Sequence, residues 1–211
     1  MADLKQVSEM LIKGKVNDVK ALVEKAVAEG VSAEEILKNG LIAGMNVVGA
    51  KFKANEFYIP EVLIAARAMH GGMAILKPLL AKSNMKSPGR IIIGTVKGDL
   101  HDIGKNLVAM MLEGAGFEVI DLGIDVPVQK FVDTCKAQKV DVVALSALLT
   151  TTMPMMKDTI AEMKKNLTNL PKIMVGGAPV TQNFATEIGA DGFAPDAASA
   201  VDTAKELIGI N

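Results

Sequence analysis

The spacing of hydrophobic residues over positions 1–82 predicts helices throughout this part of the chain. Apolar side chains recur every three or four residues, and Gly14 and Gly30 end the first two stripes. Ser32 and Glu35 are spaced as in a capping box at the start of a third helix, and Pro60 suits the first turn of a fourth. Four helices with short connections predict an antiparallel four-helix bundle.

From residue 90 the hydrophobic pattern changes to strands that alternate with helices. Continuous Val/Ile-rich runs predict strands buried on both faces, at 90–96, 117–123, 140–148, 172–177 and 190–194. Helices are predicted near 103–114, 127–137, 152–167, 181–188 and 197–208. This order predicts a doubly wound, flavodoxin-like (Rossmann-type) parallel sheet of five strands. The polar segment 83–89 contains a Pro-Gly pair and predicts a linker between a domain at 1–82 and one at 90–211.

Composition narrows the classes of partner and the compartment. Lys and Arg number 23 against 24 Asp and Glu, a net charge of −1, so nothing electrostatic favours nucleic acid or an anionic membrane. The single cysteine, Cys135, excludes an intrachain disulfide and is typical of a reducing compartment. The N-terminus does not read as a secretory signal, and no stretch approaches about 18 apolar residues. We therefore expect a cytoplasmic protein.

Three small, polar loops are predicted to meet at the carboxyl edge of the sheet, where ligands of such folds bind. They follow the first, third and fourth strands, at 98–104, 146–152 and 176–181. The first loop, GDLHDIG, places Asp99, His101 and Asp102 between Gly98 and Gly104. The sequence therefore predicts one site built around a scarce histidine.

Several common kinds of site fit these loops poorly. The first loop spells neither G-x-G-x-x-G nor a P-loop, and the domain has few aromatic residues to stack on a flavin. A closed zinc site needs three or four protein ligands, and the only other histidine, His70, is more typical of a packed or surface helix residue. A triad of Ser146, His101 and Asp99 would lack the G-x-S-x-G elbow.

A metal whose other ligands come from a macrocycle needs only one ligand from the protein. His101 can be that ligand, and Asp99 can accept the second N–H of its ring, which fixes the tautomer. Gly98 and Gly104 let the backbone approach a large flat ring closely. The lone histidine between carboxylates is therefore explained by a cofactor that supplies the remaining ligands.

These residues carry a resemblance to a known family. The motif Asp-x-His-x-x-Gly at 99–104, followed by Ser146-x-Leu148 and by Gly176-Gly177, resembles the signature of cobalamin-binding domains that hold the cofactor base-off, His-on. The segment 44–69 resembles the helical cap of corrinoid methyl carriers, including the cobalamin module of methionine synthase. The chain is most similar to stand-alone corrinoid proteins that serve methylamine, methanol or methoxyl-group methyltransferases.

The resemblance implies a role for each matching position. His101 would bind cobalt in place of the dimethylbenzimidazole base, and Asp99 would accept the hydrogen bond from the other ring nitrogen of His101. Thr152 would stand at the place of the serine in the His-Asp-Ser relay of methionine synthase. Threonine keeps the hydroxyl, but its branched carbon changes the reach. Phe52 and Ile59 would cover the methyl group. The implied cofactor contacts are Gly98, Asp99, Leu100, His101, Asp102, Gly104, Ser146, Leu148, Thr150, Gly176, Gly177 and Ala178, with Phe52 and Ile59.

The resemblance also implies a function. Cobalamin, alternating between cob(I)alamin and methylcob(III)alamin, would accept a methyl group from a substrate:corrinoid methyltransferase. A methylcorrinoid:acceptor methyltransferase would then pass the group to a tetrahydrofolate or a thiol, and a reductive activation protein is a further implied partner. The carrier would be catalytic only with these enzymes. The alternative is a cobalamin sensor or storage protein, although related sensors also carry a DNA-binding module. A mutase domain is disfavoured because mutases place a TIM barrel over the corrin.

Overall fold

A computed structural model describes residues 3–81 and 87–210 of the 211-residue chain. Residues 82–86, which include most of the predicted linker, lie outside the described residues. The chain divides into two compact units. The first is Met1–Lys86 with Gly114–Gly116, and the second is Ser87–Glu113 with Phe117–Asn211.

The first unit is helical, as the hydrophobic spacing predicts. Helices α1 (Leu4–Ile12) and α2 (Val16–Ala28) are followed by α3 (Ala33–Ile36), a π-helical stretch (Leu37–Ile42) and α4 (Ala43–Lys53). The last helix, α5, spans Ile59–Leu80. Because α3, the π-helical stretch and α4 follow one another without a break, the four predicted helical segments are confirmed.

Side chains near the helix starts bind the backbone N–H groups that a helix leaves unpaired. The Ser32 hydroxyl accepts a hydrogen bond from the Glu35 N–H at 3.2 Å, so this half of the predicted capping box is present. The Glu61 carboxylate accepts one from the Tyr58 N–H at 3.0 Å at the start of α5. These contacts fix where the third helical segment and α5 begin.

Helix α5 is the longest and most apolar element of the first unit. Over an 18-residue window its mean hydropathy reaches 1.3, so by length and composition alone it passes a test for a membrane span. The sequence-based expectation that no stretch comes close to this was wrong. A core helix of a soluble protein passes the same test, and 44% of this window is buried within the structure.

The second unit alternates strands and helices as predicted. The strands are β1 (Arg90–Thr95), β2 (Glu118–Asp121), β3 (Val142–Ser146), β4 (Lys172–Gly176) and β5 (Gly192–Ala194). The helices are α6 (Ile103–Gly114), α7 (Val128–Ala137), α8 (Pro154–Asn166), α9 (Gln182–Glu187) and α10 (Ala197–Ile208). All strands pair in parallel in the order β2-β1-β3-β4-β5, the flavodoxin-like order. The predicted sheet is confirmed, with strands one to four residues shorter than the hydrophobic runs.

Both faces of the sheet are buried, which explains the continuous Val/Ile runs. One face packs against α7, α8 and α9 in a cluster that includes Ile92, Val143, Phe131, Met156 and Ile188. Residues one position along the strands point to the other face, which α10 covers. The register pairs Thr95 of β1 with Ser146 of β3, so the loops after these two strands start side by side.

Gly177 allows the loop after β4 to lie against the end of β3. Its φ is +130°, and a Cβ built on it would lie 1.9 Å from the carbonyl oxygen of Ala147. A backbone carbonyl cannot move aside as a flexible side chain can. Only glycine therefore fits this position.

We predict that Gly177→Ala lowers the free energy of unfolding by roughly 3 kcal/mol or more, because strain and a backbone clash add. Gly209 is the control, since it also has a positive φ (+73°) but has no atom within 4 Å of a built Cβ. Gly209→Ala should cost about 1 kcal/mol, from the left-handed backbone alone. Urea unfolding of both variants measures the difference, and equal losses would contradict the clash.

Candidate functional site

The loop between β1 and α6 carries Asp99 and His101, and it is held by its own backbone. Gly98 has a φ of +85°, which favours glycine at the turn. The Asp99 N–H donates to the Val96 carbonyl at 3.1 Å, and the buried Thr95 hydroxyl donates to the His101 carbonyl at 2.9 Å. The loop therefore leaves β1 in a fixed conformation and places both side chains at the carboxyl edge of the sheet.

The Asp99 carboxylate is fully buried and accepts hydrogen bonds from five donors. Its Oδ1 faces the N–H and the ring Nδ1 of His101, at 3.1 and 2.8 Å. Its Oδ2 accepts from the Thr152 hydroxyl at 2.7 Å and from the N–H groups of Leu148 and Leu149 at 2.8 and 3.2 Å. One side chain thus joins the loop after β1 to the segment after β3.

These donors decide the charge of Asp99. Burial by itself would raise the pKa of this carboxyl group, but the hydrogen bonds from Thr152, His101 and Leu148 outweigh burial and hold the pKa far below its usual range. Asp99 is therefore ionised at neutral pH. An ionised carboxylate only accepts hydrogen bonds, so the proton between Asp99 and His101 lies on Nδ1 of the imidazole.

This tautomer leaves Nε2 of a neutral His101 with its lone pair available. The ring is about half exposed at the sheet edge, and Nε2 makes no hydrogen bond to residues 3–81 or 87–210. An imidazole held through Nδ1 by a carboxylate, with Nε2 open, is the usual arrangement of a metal-binding histidine. Across the same described ranges, no group of three or more His, Cys, Asp or Glu residues can hold a metal ion without further ligands.

The remaining predicted residues of the second unit lie around the ends of β1, β3 and β4. Leu100, Asp102 and Gly104 are exposed, as are Leu148, Thr150 and Ala178. Asp102 precedes α6 and accepts a hydrogen bond from the Asn106 side chain at 3.1 Å. Ser146 and Gly176 end their strands and pair in register, next to Gly177. The structure thus places the three predicted loops at one edge.

The surroundings of Gly104 show whether a large ligand has room beside His101. It lies in the first turn of α6, and a Cβ built on it meets nothing within 4 Å. Neither packing nor backbone conformation in the protein itself requires glycine at this position. The open surface beside His101 and the free Nε2 fit a large cofactor that needs one nitrogen ligand.

The other residues that the sequence analysis considered belong to other elements of the chain. Phe52 is half-buried in α4, and Ile59 is exposed at the start of α5, both in the first unit. His70 is an exposed residue of α5. Burial raises the pKa of Cys135 to about 11, which keeps its thiol protonated near neutral pH.

Two groups that hold the first loop were not predicted from the sequence. One is the Thr95 hydroxyl, which no motif marks. The other is the loop after β2, which was omitted from the predicted site although it follows a strand of the same parallel sheet. Asp125 in that loop accepts a hydrogen bond from the Gly98 N–H at 2.8 Å. The rule that carboxyl ends share one edge would have included this loop.

Comparisons with known proteins agree with this geometry. A B12 binding domain family matches residues 89–203, and a second family, also described as a B12 binding domain, matches residues 3–77. The dimethylamine corrinoid protein 1 of Methanosarcina acetivorans is 45% identical, over 97% of both chains. The chain therefore belongs to the B12-binding family of corrinoid proteins, and its cofactor is cobalamin. Its methylamine corrinoid homologues imply a methyl-carrier function.

Two solved structures have the same fold over nearly the whole chain. A cobalamin-binding protein from Desulfitobacterium hafniense DCB-2 is 34% identical, with a TM-score of 0.81, over 98% of this chain and 99% of that one. A chain of the methanol:cobalamin methyltransferase complex MtaBC from Methanosarcina barkeri is 28% identical, with a TM-score of 0.88, over 98% and 79%. Both cover the helical unit as well as the sheet.

We predict that Asp99 makes the stability of the protein depend on pH in acid. Because its pKa is lower in the folded than in the unfolded state, its stabilisation is complete above about pH 3.9, the ordinary value, and is lost as the pH falls. Asp99→Asn should cost roughly 2–4 kcal/mol at pH 7. That difference from wild type should shrink by about 1.4 kcal/mol per pH unit below 3.9. Urea unfolding from pH 6 to pH 2.5 measures it.

The control for this series is Asp133→Asn. Asp133 is an exposed carboxylate on α7 that accepts a hydrogen bond from Gln129. Because Asp133 is exposed and makes one side-chain hydrogen bond, Asp133→Asn should differ from wild type by less than about 1 kcal/mol. A constant gap for Asp99→Asn would contradict a lowered pKa of Asp99 in the folded protein.

We predict that the Thr152 hydroxyl contributes more to stability than a comparable buried hydroxyl. It has one proton and two acceptors, Asp99 at 2.7 Å and the Leu149 carbonyl at 2.9 Å, and the charged oxygen is the stronger acceptor. Thr152→Val should cost about 1.5–3 kcal/mol and Thr152→Ser less than about 1. Thr159 is also buried, but it lies on α8 and donates only to the Met155 carbonyl. Thr159→Val should therefore cost less than about 1.5 kcal/mol. Equal costs for the two valine variants in thermal unfolding would contradict this assignment.

Proposed function

We propose that this chain is a methyl carrier that binds cobalamin base-off with His101 as the cobalt ligand. The observation that carries the proposal is the His101 ring, held through Nδ1 by an ionised, buried Asp99, with Nε2 open at the carboxyl edge of the sheet. When bound, cobalt supplies the centre that accepts and donates the methyl group. The residues of the chain bind the cofactor, orient the His101 ring and hold the proton on that ring.

The proposed work of Asp99 and Thr152 concerns the proton on His101. Neutral His101 would hold cobalt through Nε2, because its Nδ1 proton stays on the Asp99 side. If Nε2 took up a proton while not bound to cobalt, the carboxylate 2.8 Å from Nδ1 would stabilise the imidazolium. Thr152 donates to the other oxygen of Asp99, so it supports the carboxylate without touching the ring. Asp99 is thus hydrogen-bonded to His101 on one side and to Thr152 on the other, the same order as in the His-Asp-Ser relay that the resemblance implies.

The other predicted residues have binding roles in this proposal. Leu100, Leu148 and Thr150 offer exposed surface around His101, and Gly104, whose built Cβ meets nothing within 4 Å, leaves room for the cofactor. Gly98, Gly176, Gly177 and Ala178 are proposed, on the family resemblance, to contact the cofactor and its tail. Ser146 ends β3 between these loops. Asp102, which is paired with Asn106, contributes a nearby charge. Phe52 and Ile59 are proposed, on the family resemblance, to shield the methyl group.

The proposed partners are two methyltransferases and a reductive activation protein. The similarity to a chain of the MtaBC complex supports pairing with a substrate:corrinoid methyltransferase, and the similarity to a dimethylamine corrinoid protein supports a methylated amine as donor. A tetrahydrofolate or a thiol is the proposed acceptor. A cytoplasmic location, which we propose for this chain, suits all of these partners.

We predict that His101→Ala abolishes histidine coordination of cobalt and methyl transfer. Wild-type protein reconstituted with hydroxocobalamin should give the visible spectrum of histidine-bound cobalt, and His101→Ala should give that of the base-off form. Transfer of labelled methyl from dimethylamine to a thiol, with the purified partner methyltransferases, should fall by at least 100-fold. His70→Ala is the control, because His70 is the only other histidine, and it should match wild type.

Two results would contradict the proposal. Identical spectra for wild type and His101→Ala would remove His101 from cobalt. A wild-type protein with the histidine-bound spectrum that transfers methyl from neither methylated amines nor methanol, with any partner enzyme encoded beside its gene, would favour the sensor or storage alternative.

A further inference from the structure

Asp125, in the loop between β2 and α7, contacts the His101 loop through both its side chain and its backbone. The carboxylate accepts hydrogen bonds from the Gly98 N–H at 2.8 Å and from the Lys97 ammonium at 3.0 Å. The Asp125 N–H donates to the Asp99 carbonyl at 2.9 Å. Consecutive residues 97, 98 and 99 are thus all bound to one aspartate, immediately before His101.

The backbone of Asp125 is in an unfavourable conformation for a residue with a Cβ. Its φ is +51°, and the only other non-glycine residue with a positive φ in the described ranges is Asn55. Aspartate tolerates this region better than most residues, but the conformation persists only where surrounding contacts require it. Here those contacts are the bonds to residues 97–99, which points to a role in shaping that loop.

The location of Asp125 complements that of Thr152. In the sheet order β2-β1-β3, the loop after β1 lies between the loops after β2 and β3. From the β3 side, Leu148, Leu149 and Thr152 bind the Asp99 carboxylate. From the β2 side, Asp125 binds the backbone of Gly98 and Asp99. The pKa of Asp125 is lowered, first by the Gly98 N–H and then by Lys97, so its carboxylate remains an acceptor.

We infer that Asp125 is a positioning residue for the cobalt ligand. By fixing the backbone of Gly98 and Asp99 it sets the direction of the Asp99 carboxylate, and that carboxylate sets the ring and tautomer of His101. Its role does not depend on contact with the cofactor. The effect of Asp125 on cobalt binding rests on the proposed function. The effect of Asp125 on the His101 ring does not.

The chain supplies a matched control for Asp125. Asp191 accepts hydrogen bonds from the Ile173 N–H at 2.8 Å and from the Lys172 ammonium at 3.0 Å, the same pattern of an amide and the preceding lysine. Its side chain is 30% exposed, against 38% for Asp125. Asp191 binds the start of β4, at the amino edge of the sheet, so it has the same local interactions without the His101 loop.

The decisive variants are Asp125→Gly, Asp125→Asn and Asp191→Gly. Glycine tolerates a positive φ, so Asp125→Gly removes the carboxylate without adding strain, while asparagine keeps both the left-handed backbone and an acceptor for the Gly98 N–H. Asp191→Gly makes the same substitution away from the loop. Circular dichroism and urea unfolding confirm that each variant folds before it is compared.

The first readout uses the protein without cofactor. Ring ¹⁵N NMR at pH 8 reports the tautomer of His101, and assignment is simple because the chain has two histidines. Wild type, Asp125→Asn and Asp191→Gly should show a dominant Nδ1-protonated ring, whereas Asp125→Gly should shift toward a mixture of both tautomers. An unchanged tautomer in Asp125→Gly, or an equal shift in Asp191→Gly, would overturn the inference.

The second readout is binding of hydroxocobalamin, followed by the histidine-bound spectrum. Outer partners of a metal ligand typically change affinity 10–100-fold, so Asp125→Gly should weaken binding about tenfold, and Asp125→Asn should remain within about twofold of wild type. A tenfold loss in Asp191→Gly would overturn the inference. If wild type itself lacks the histidine-bound spectrum, the proposed function fails, and the tautomer measurement still decides the role of Asp125.

Discussion

The site depends on one buried negative charge, the carboxylate of Asp99. Removing an ionised carboxylate from water costs several kcal/mol, and the cost is offset only if its oxygens are well hydrogen-bonded. Five donors meet this requirement, and they come from the loop after β1 and the segment after β3. Because this buried charge requires hydrogen-bond donors, the two oxygens of Asp99 hold both the ring of His101 and the backbone at 148–149.

The sheet supplies the positions, and the loops supply the chemistry. Parallel pairing of β1 with β3 sets Thr95 beside Ser146, which brings the donors of residues 148–152 within reach of Asp99. Gly177 extends this edge, since its missing side chain lets the loop after β4 approach the end of β3. The arrangement therefore follows from register and from one steric constraint, without any unusual strand geometry.

Much of this could be predicted from the sequence, for reasons that differ between elements. Hydrophobic periodicity predicted the helices and strands, and the motif around His101 predicted the carboxylate that binds its ring, because both signals are local in the chain. The sequence analysis did not predict the partners of Asp99 at 148 and 149, since they are backbone N–H groups and any residue has one. It also missed Asp125, whose φ of +51° depends on tertiary contacts. The π-helical stretch at Leu37–Ile42 has no signal in the hydrophobic pattern.

The sequence separation between Asp99 and Thr152, 53 residues, has a consequence for the order of assembly. A nascent chain that ends before Leu148 lacks all three donors that the segment after β3 supplies to the Asp99 carboxylate. The His101 ring then has no fixed tautomer, even though the whole D-x-H-x-x-G motif has been made. If His101 holds cobalt as proposed, its ring is oriented only after β3 has joined β1, and cobalamin would be loaded late in the biogenesis of this protein.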